Sequence, residues 1–395
     1  MSVWSSLVGQ DAAVAKLSDA AASAREIVAS RGGRASDEAR SMSHAWLITG
    51  PPGSGRSVAA RAFAAALQCT GETPGCGACP GCRTTMARTN ADVVFAATET
   101  SIINVDTARS LVLQAQSSPS QGLWRVIVVE DADRLGESGA NALLKAIEEP
   151  PEHTVWLLCA PSPEDMIATI RSRCRHLGLR IPTATAVADL LVREGVATPE
   201  VALEAARAAQ SHIGLARALA RDPQMRERRR SIITAPASVR SVGEAVMAAD
   251  RLLETAKAQA DAQVSDRNAR EKADLLRQLG MEESENATKA SRTMLRQLEE
   301  DQKRRSKRAL TDAIDRALID LLAIYRDILM VQVGGDGELI NTDLSELVHQ
   351  IAHDSTPHQT LARVDHIETA RKRLVSNGNP LLVLEDMAIS LRPQA

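Results

Sequence analysis

The chain has 395 residues, 44% hydrophobic and 25% charged, with a formal net charge of −3. That length accommodates two or three domains at roughly 100–200 residues each, and the slight acidity excludes the global positive field of a stand-alone nucleic-acid binder. With only two Phe, one Tyr and four Trp, the cores must be built from Ala, Leu, Val and Ile, which favours helix.

The opening stretch, Met1 to Leu17, lacks the uninterrupted apolar run behind a basic start that marks a signal peptide. No run approaches the ~18 uncharged apolar residues of a membrane span, so a cytoplasmic protein is expected. After a polar stretch from Ser30 to Ser43, Ala45-Trp46-Leu47-Ile48 reads as a buried strand and Ser57 to Leu67 as an alanine-rich helix. Val93-Val94-Phe95 is a short strand candidate, and Arg125 to Val129 a stronger, β-branched one ending in Glu130-Asp131. Gly139 to Ile147 is helical, and Pro150-Pro151 stops it. Thr154 to Leu158 is a further buried strand. Strands recurring between helices predict a parallel α/β sheet.

Beyond Pro182 strand-like runs become scarce and Ala/Leu/Arg/Glu tracts dominate. The expected division is residues 1–182 as an α/β domain, 183–236 as a small helical module and 237–395 as a larger helical one. Between Arg251 and Leu310 stand 14 Lys/Arg and 11 Asp/Glu, with no proline and only Gly280. Charges of both signs at this density predict long exposed helices, paired as a hairpin or coiled-coil arm. A solvated face is the plain reading of this segment, about 251–310, and a partner-binding arm the alternative.

Three motifs carry chemistry. Gly50 to Ser57, GPPGSGRS, has the spacing of a phosphate-binding P-loop with Arg56 in the place of lysine. Backbone N–H groups around Gly53, Ser54 and Gly55 can cradle a pyrophosphate at the start of the following helix, and Ser57 can ligate Mg²⁺. Arginine keeps the charge, but its planar fork cannot place a compact ammonium between the β- and γ-phosphates. Glu130-Asp131 ends a strand where P-loop ATPases of the DExx type carry Asp for the metal shell and then Glu for the attacking water. Here the order is reversed, so the metal ligand moves out by one methylene and the second acid falls short of the water. The other reading is that these acids only cap a strand or helix. Finally, Cys69, Cys76, Cys79 and Cys82 crowd into fourteen residues rich in Gly and Pro. Four thiolates suit tetrahedral Zn²⁺ with no open position, hence a structural ion; a redox dithiol or unbound cysteines are the alternatives.

Together with Leu7-Val8-Gly9-Gln10, Ser43 to Gly50, Leu143 to Pro151 (LLKAIEEPP), Arg171-Ser172-Arg173-Cys174 and Asn379-Pro380, these pieces resemble the clamp-loader branch of the AAA+ ATPases over nearly the whole chain. The resemblance implies a P-loop α/β domain with a zinc-module insert (69–82), a helical lid and an all-α collar that oligomerises. It implies a role in a pentameric machine with γ/τ and delta subunits that uses ATP to load a sliding clamp on primed DNA, as part of the polymerase III holoenzyme. In that family the Ser-Arg-Cys arginine, here Arg173, is a finger reaching into a neighbour's ATP site. Val8 would lie near the adenine pocket, and Arg217 in the second sensor region. The polar sensor expected after Cys159 is replaced by Ala160-Pro161. With Arg56 and the reversed acids, three catalytic elements deviate in one site. A non-hydrolysing assembly subunit is therefore expected, against the alternative of a γ/τ-type motor or another AAA+ remodeller; ATP or ADP, with Mg²⁺ if nucleotide binds, would be its ligand.

Overall fold

The computed structural model describes residues 2–30, 41–96, 103–279 and 289–392; part of the Ser30–Ser43 stretch, residues 280–288 of the mixed-charge segment and the final three residues lie outside them. The chain divides into two units, Met1–Ala220 and Arg221–Ala395. Among the described residues no helix is long and apolar enough to cross a membrane.

The first unit is built on five parallel strands in the order β2-β3-β4-β1-β5. In chain order its elements are α1 (Asp11–Ala29), β1 (Ala45–Thr49), α2 (Arg56–Leu67), α3 (Pro80–Met86), β2 (Val93–Ala96), α4 (Val105–Ala115), β3 (Arg125–Val129), α5 (Glu137–Glu148), β4 (Thr154–Ala160), α6 (Ala168–Arg171) and β5 (Arg175–Gly178). Then come α7 (Ala184–Arg193), α8 (Pro199–Ala208) and α9 (Ile213–Arg221). The parallel α/β sheet is thus the expected one. It also holds a fifth strand, β5, paired to β1, which no apolar run announces because only Leu177 of its four residues is buried. An edge strand needs to bury one face at most.

Helices cover both faces of the sheet, so the inner strands are apolar on both sides. Trp46, Ile48, Val128 and Leu157 pack with Leu17 and Phe63 from α1 and α2, while Leu47, Ile127, Trp156 and Leu158 pack with Leu111, Leu143 and Ile147 from α4 and α5. In α2, six alanines are buried. Their small side chains let the helix lie close to the sheet, and the volume is filled by Phe63, edge-on to Trp46 with ring centroids 5.3 Å apart.

The second unit is helical: α10 (Pro223–Ser238), α11 (Val242–Gln278), α12 (Lys289–Gln332), α13 (Ser345–Asp354), α14 (Pro357–Val375) and α15 (Pro380–Ser390). Helix α10 continues through Pro236 to Ser238. The core joins Leu253, Leu318, Leu321, Ile328, Val348, Ile367 and Leu384. Through it runs a buried polar network. Arg229 donates to Asp320 (3.1 Å) and Asn341 (2.6 Å), and Asn341 donates through Nδ2 to Asp327 (2.9 Å). The mixed-charge stretch lies in α11 and α12, which pack side by side through Ala260, Val264 and Ala309. Farther along the pair the seam turns polar. Arg305 reaches Asn268 (2.7 Å) and Glu271 (2.8 Å), and Gln302 donates to the Asn268 carbonyl (2.9 Å).

One buried acid holds the loop before β3. The Asp92 carboxylate, fully buried, accepts the N–H groups of Ser120 (2.6 Å), Gln121 (2.7 Å) and Gly122 (2.6 Å) and the Ser120 hydroxyl (2.9 Å). Burial raises its pKa, but these donors outweigh burial and hold the carboxyl below its ordinary value. Such a group contributes stability that is complete above the ordinary Asp range and lost as pH falls through the depressed folded value. Asp92→Ala would strand three N–H donors and is expected to cost about 3–5 kcal/mol. Asp92→Asn should flatten the acid limb of the unfolding midpoint plotted against pH; an unchanged acid limb would contradict this role.

Candidate functional site

The site is assembled at the C-terminal edge of the sheet, where parallel α/β folds place their ligand crevices. β1 delivers Gly50 to Gly55, β3 delivers Glu130-Asp131 and β4 delivers Ala160-Pro161. The loop has the shape that its glycines permit. Gly53 (φ 91°) and Gly55 (φ 90°) are left-handed, and Gly55 caps α2. A Cβ on Gly50 would come within 2.5 Å of Ser54 Oγ and 2.9 Å of the Leu179 carbonyl oxygen.

Part of the loop's backbone is engaged from within the chain. Gly50 N–H donates to the Pro161 carbonyl (3.1 Å), the position where a polar sensor was expected. The Arg56 guanidinium donates back to the Gly50 carbonyl. Gln10 spans the loop and β5, donating to the carbonyls of Ser54 (3.3 Å) and Arg180 (2.5 Å). Ser54 is buried and its hydroxyl has no hydrogen-bond partner among the described residues. Ser57 is half-buried in the first turn of α2. His212 lies against Gly53, its Cα 3.0 Å from where a Cβ would stand. Sequence reasoning missed His212, since nothing in its local pattern ties it to a loop some 160 residues earlier.

Arg56, Glu130 and Asp131 converge around Cys159 at the end of β4. Burial pushes that thiol up to about 12, with Glu130 and Asp131 adding to the shift and Arg56 opposing it. Asp133 is raised as well, by burial first and then by Asp131, against Arg134 and Arg56. Glu130 is not open to solvent. Its side chain is 14% exposed and pairs with Arg88 at 2.6 Å. Arg61 of α2 also feels the Glu130 charge; burial and Arg88 lower its pKa, and Glu130 opposes them.

Other expected residues lie elsewhere in the unit. Val8 lines a cavity of 530 Å³ with Ala186, Asp189, Val192 and Arg193 of α7. Arg217 makes a two-pronged pair with Glu194 at the end of α7, both contacts at 2.9 Å. Arg173 follows α6; its side chain is 40% exposed, donates to the Thr169 carbonyl at 2.8 Å and pairs with Glu148 at the end of α5. The LLKAIEEPP and Ser-Arg-Cys blocks therefore meet through this ion pair.

Cys69, Cys76, Cys79 and Cys82 bring their four Sγ atoms within 4.8 Å of one another. None is in a disulfide. Four thiolates at about 2.3 Å from a tetrahedral zinc would stand about 3.8 Å apart, and Cys69 and Cys79 Sγ are 3.8 Å apart. The sulfurs also receive backbone donors: Cys79 N–H points at Cys76 Sγ and Cys82 N–H at Cys79 Sγ, each at 3.4 Å. Burial would raise the Cys79 thiol, but donors from Cys82 and Thr70 take it down to about 5. This is a donor set that fits zinc. Helix α3 grows out of it, with Cys79 as N-cap and Cys82 in its first turn.

The family described as "DNA polymerase III, delta subunit" matches residues 34–183. DNA polymerase III subunit gamma/tau of Mycobacterium bovis is 35% identical over 159 residues, 40% of this chain and 28% of that one. The delta' subunits of Pseudomonas aeruginosa and Escherichia coli are each 35% identical, over 41% and 45% of this chain and 50% and 54% of theirs. The chain thus spans about a quarter of the gamma/tau relative's length and about half of the delta' relatives'. The match over residues 34–183 and the 35% identity to two delta' subunits make the N-terminal part of this chain similar to delta-prime-type clamp-loader proteins.

Proposed function

We propose that the protein is the delta-prime subunit of a DNA polymerase III clamp loader, a scaffold that does not hydrolyse ATP but donates Arg173 to a neighbouring subunit's ATP site. The observation that carries this reading is the contrast between the two sites. The chain's own P-loop closes through the Arg56–Gly50 and Gly50–Pro161 hydrogen bonds and the acid Glu130 is paired with Arg88, whereas Arg173 sits half exposed. A half-exposed pair such as Arg173–Glu148 contributes about 0–1 kcal/mol, so the guanidinium can exchange Glu148 for a γ-phosphate at small cost. In this reading residues 1–182 form the nucleotide-binding-like domain, 183–236 the lid and 237–395 the collar that assembles with γ/τ and delta subunits. The clamp and primed DNA are met only through the assembled complex, at the replisome in the cytoplasm. A γ/τ-type motor is the second reading, favoured by the retained Gly50, Gly53, Gly55 and Ser57; nucleotide with Mg²⁺ would then occupy the loop.

Cys69, Cys76, Cys79 and Cys82 would hold one structural zinc, which closes the loop 69–82 and supplies no open coordination position. Its loss would release α3 from the first domain.

Three outcomes follow. The isolated, zinc-replete chain is expected to show no DNA-stimulated ATP turnover; turnover that falls on Arg56→Ala would establish the motor reading instead. In a reconstituted loader, Arg173→Ala should leave co-elution of the subunits intact and cut ATP turnover about tenfold or more, and unchanged turnover would remove the finger assignment. Elemental analysis should find about one zinc per chain, with Cys82→Ser losing the ion and lowering the unfolding temperature; a metal-free native chain of undiminished stability would refute the zinc site.

A further inference from the structure

The cysteine module does more at this site than decorate the domain. Its last residue to leave α3 is Arg88, held in the left-handed region (φ 60°) that favours glycine. The turn is fixed by Arg88 N–H donating to the Thr85 carbonyl (3.0 Å) and Thr89 N–H to the Thr84 carbonyl (2.8 Å). A non-glycine residue kept at such a position suggests a use for its side chain. The Arg88 guanidinium stacks over the Phe95 ring of β2 at 5.1 Å and reaches Glu130 at 2.6 Å. The same short helix carries Cys79 at its cap and Cys82 in its first turn. The ten residues from Cys79 to Arg88 thereby link the four-thiolate cluster to Glu130.

Glu130 ends β3 beside the P-loop, which is where the acid that ligates a nucleotide's divalent cation belongs in the reading proposed above. We infer that Arg88 is a built-in counter-ion: presented by the cysteine module, it occupies at Glu130 the place of a divalent cation and so closes the site to a metal–nucleotide complex. The inference rests on the assignment of Glu130 as the metal-side acid. The carboxylate that Arg88 pairs with is largely covered and stands next to Asp131 and near Asp133 in the sequence. One positive charge from outside the P-loop offsets it.

The test uses the full-length, zinc-replete chain and Mn²⁺ as probe, with the free aquo ion followed by electron paramagnetic resonance. Arg88→Gly is the informative variant, because glycine suits the left-handed turn and the fold and zinc content should be retained. Relative to wild type it should bind Mn²⁺ about tenfold or more tighter, the scale expected when one opposing charge is taken from a partly buried site. Adding Glu130→Gln in the same chain should abolish the gain. Equal Mn²⁺ affinity in wild type and Arg88→Gly, or a gain that survives Glu130→Gln, would overturn the inference. ATP turnover by the wild-type chain would overturn it together with the non-hydrolysing reading, whereas unchanged Mn²⁺ binding without turnover overturns this inference alone.

Discussion

The register of three parallel strands decides where every group at the sheet edge falls. Thr49 of β1 stands opposite Ala160 of β4, and Leu158 of β4 opposite Val129 of β3. β1 and β4 therefore end level, so that Gly50 and Pro161 emerge side by side, while β3 ends two residues earlier and sets Glu130 level with Cys159 of β4. Because all three strands are buried on both faces, a slip of one residue would put every side chain on the wrong side. The loop's closure on Pro161 and the proximity of Arg56 to the acids are consequences of that register.

Within that edge, charge is balanced by pieces that arrive from distant parts of the chain. Arg56 comes with the loop, Arg88 with the cysteine-rich insert and Arg61 from the middle of α2. Opposed to them stand Glu130, Asp131 and Asp133. In P-loop sites a metal ion and its nucleotide offset such acids; in this chain arginines from three separate segments also do so. The cluster is thus consistent with a domain that keeps the architecture of a nucleotide site as a rigid part of an assembly.

How much of this was legible depended on whether the signal was local. Ala45–Ile48, Arg125–Val129 and Thr154–Leu158 announce themselves because central strands of a covered parallel sheet must be apolar on both faces. Arg175–Gly178 does not, because its pairing is set by β1 and only Leu177 is buried. The P-loop and the four cysteines were readable because backbone cradles and metal shells impose spacing on the sequence itself. Arg88 and His212 carry no such mark. Their positions follow from how α3 and the turn before α9 pack, and single residues brought together by tertiary structure leave no period to read. The Arg173–Glu148 pair is intermediate: each block is recognisable alone, but only the fold shows that the two touch.

The long helical pair of the second unit has a mechanical consequence. Near the body its seam is Ala260, Val264 and Ala309; beyond that it passes to Asn268, Glu271, Gln302 and Arg305. Polar contacts fix register well but bury little apolar surface, so they add alignment without much cohesive energy. Farther out, Leu295 is the one buried hydrophobic side chain among the described residues, so the outer portion buries less apolar surface than the Leu318–Ile328 core. Local opening there costs far less than global unfolding. The unit thus couples a stiff root to a yielding lever, and a force applied along α11 and α12 would be absorbed before it reached the core.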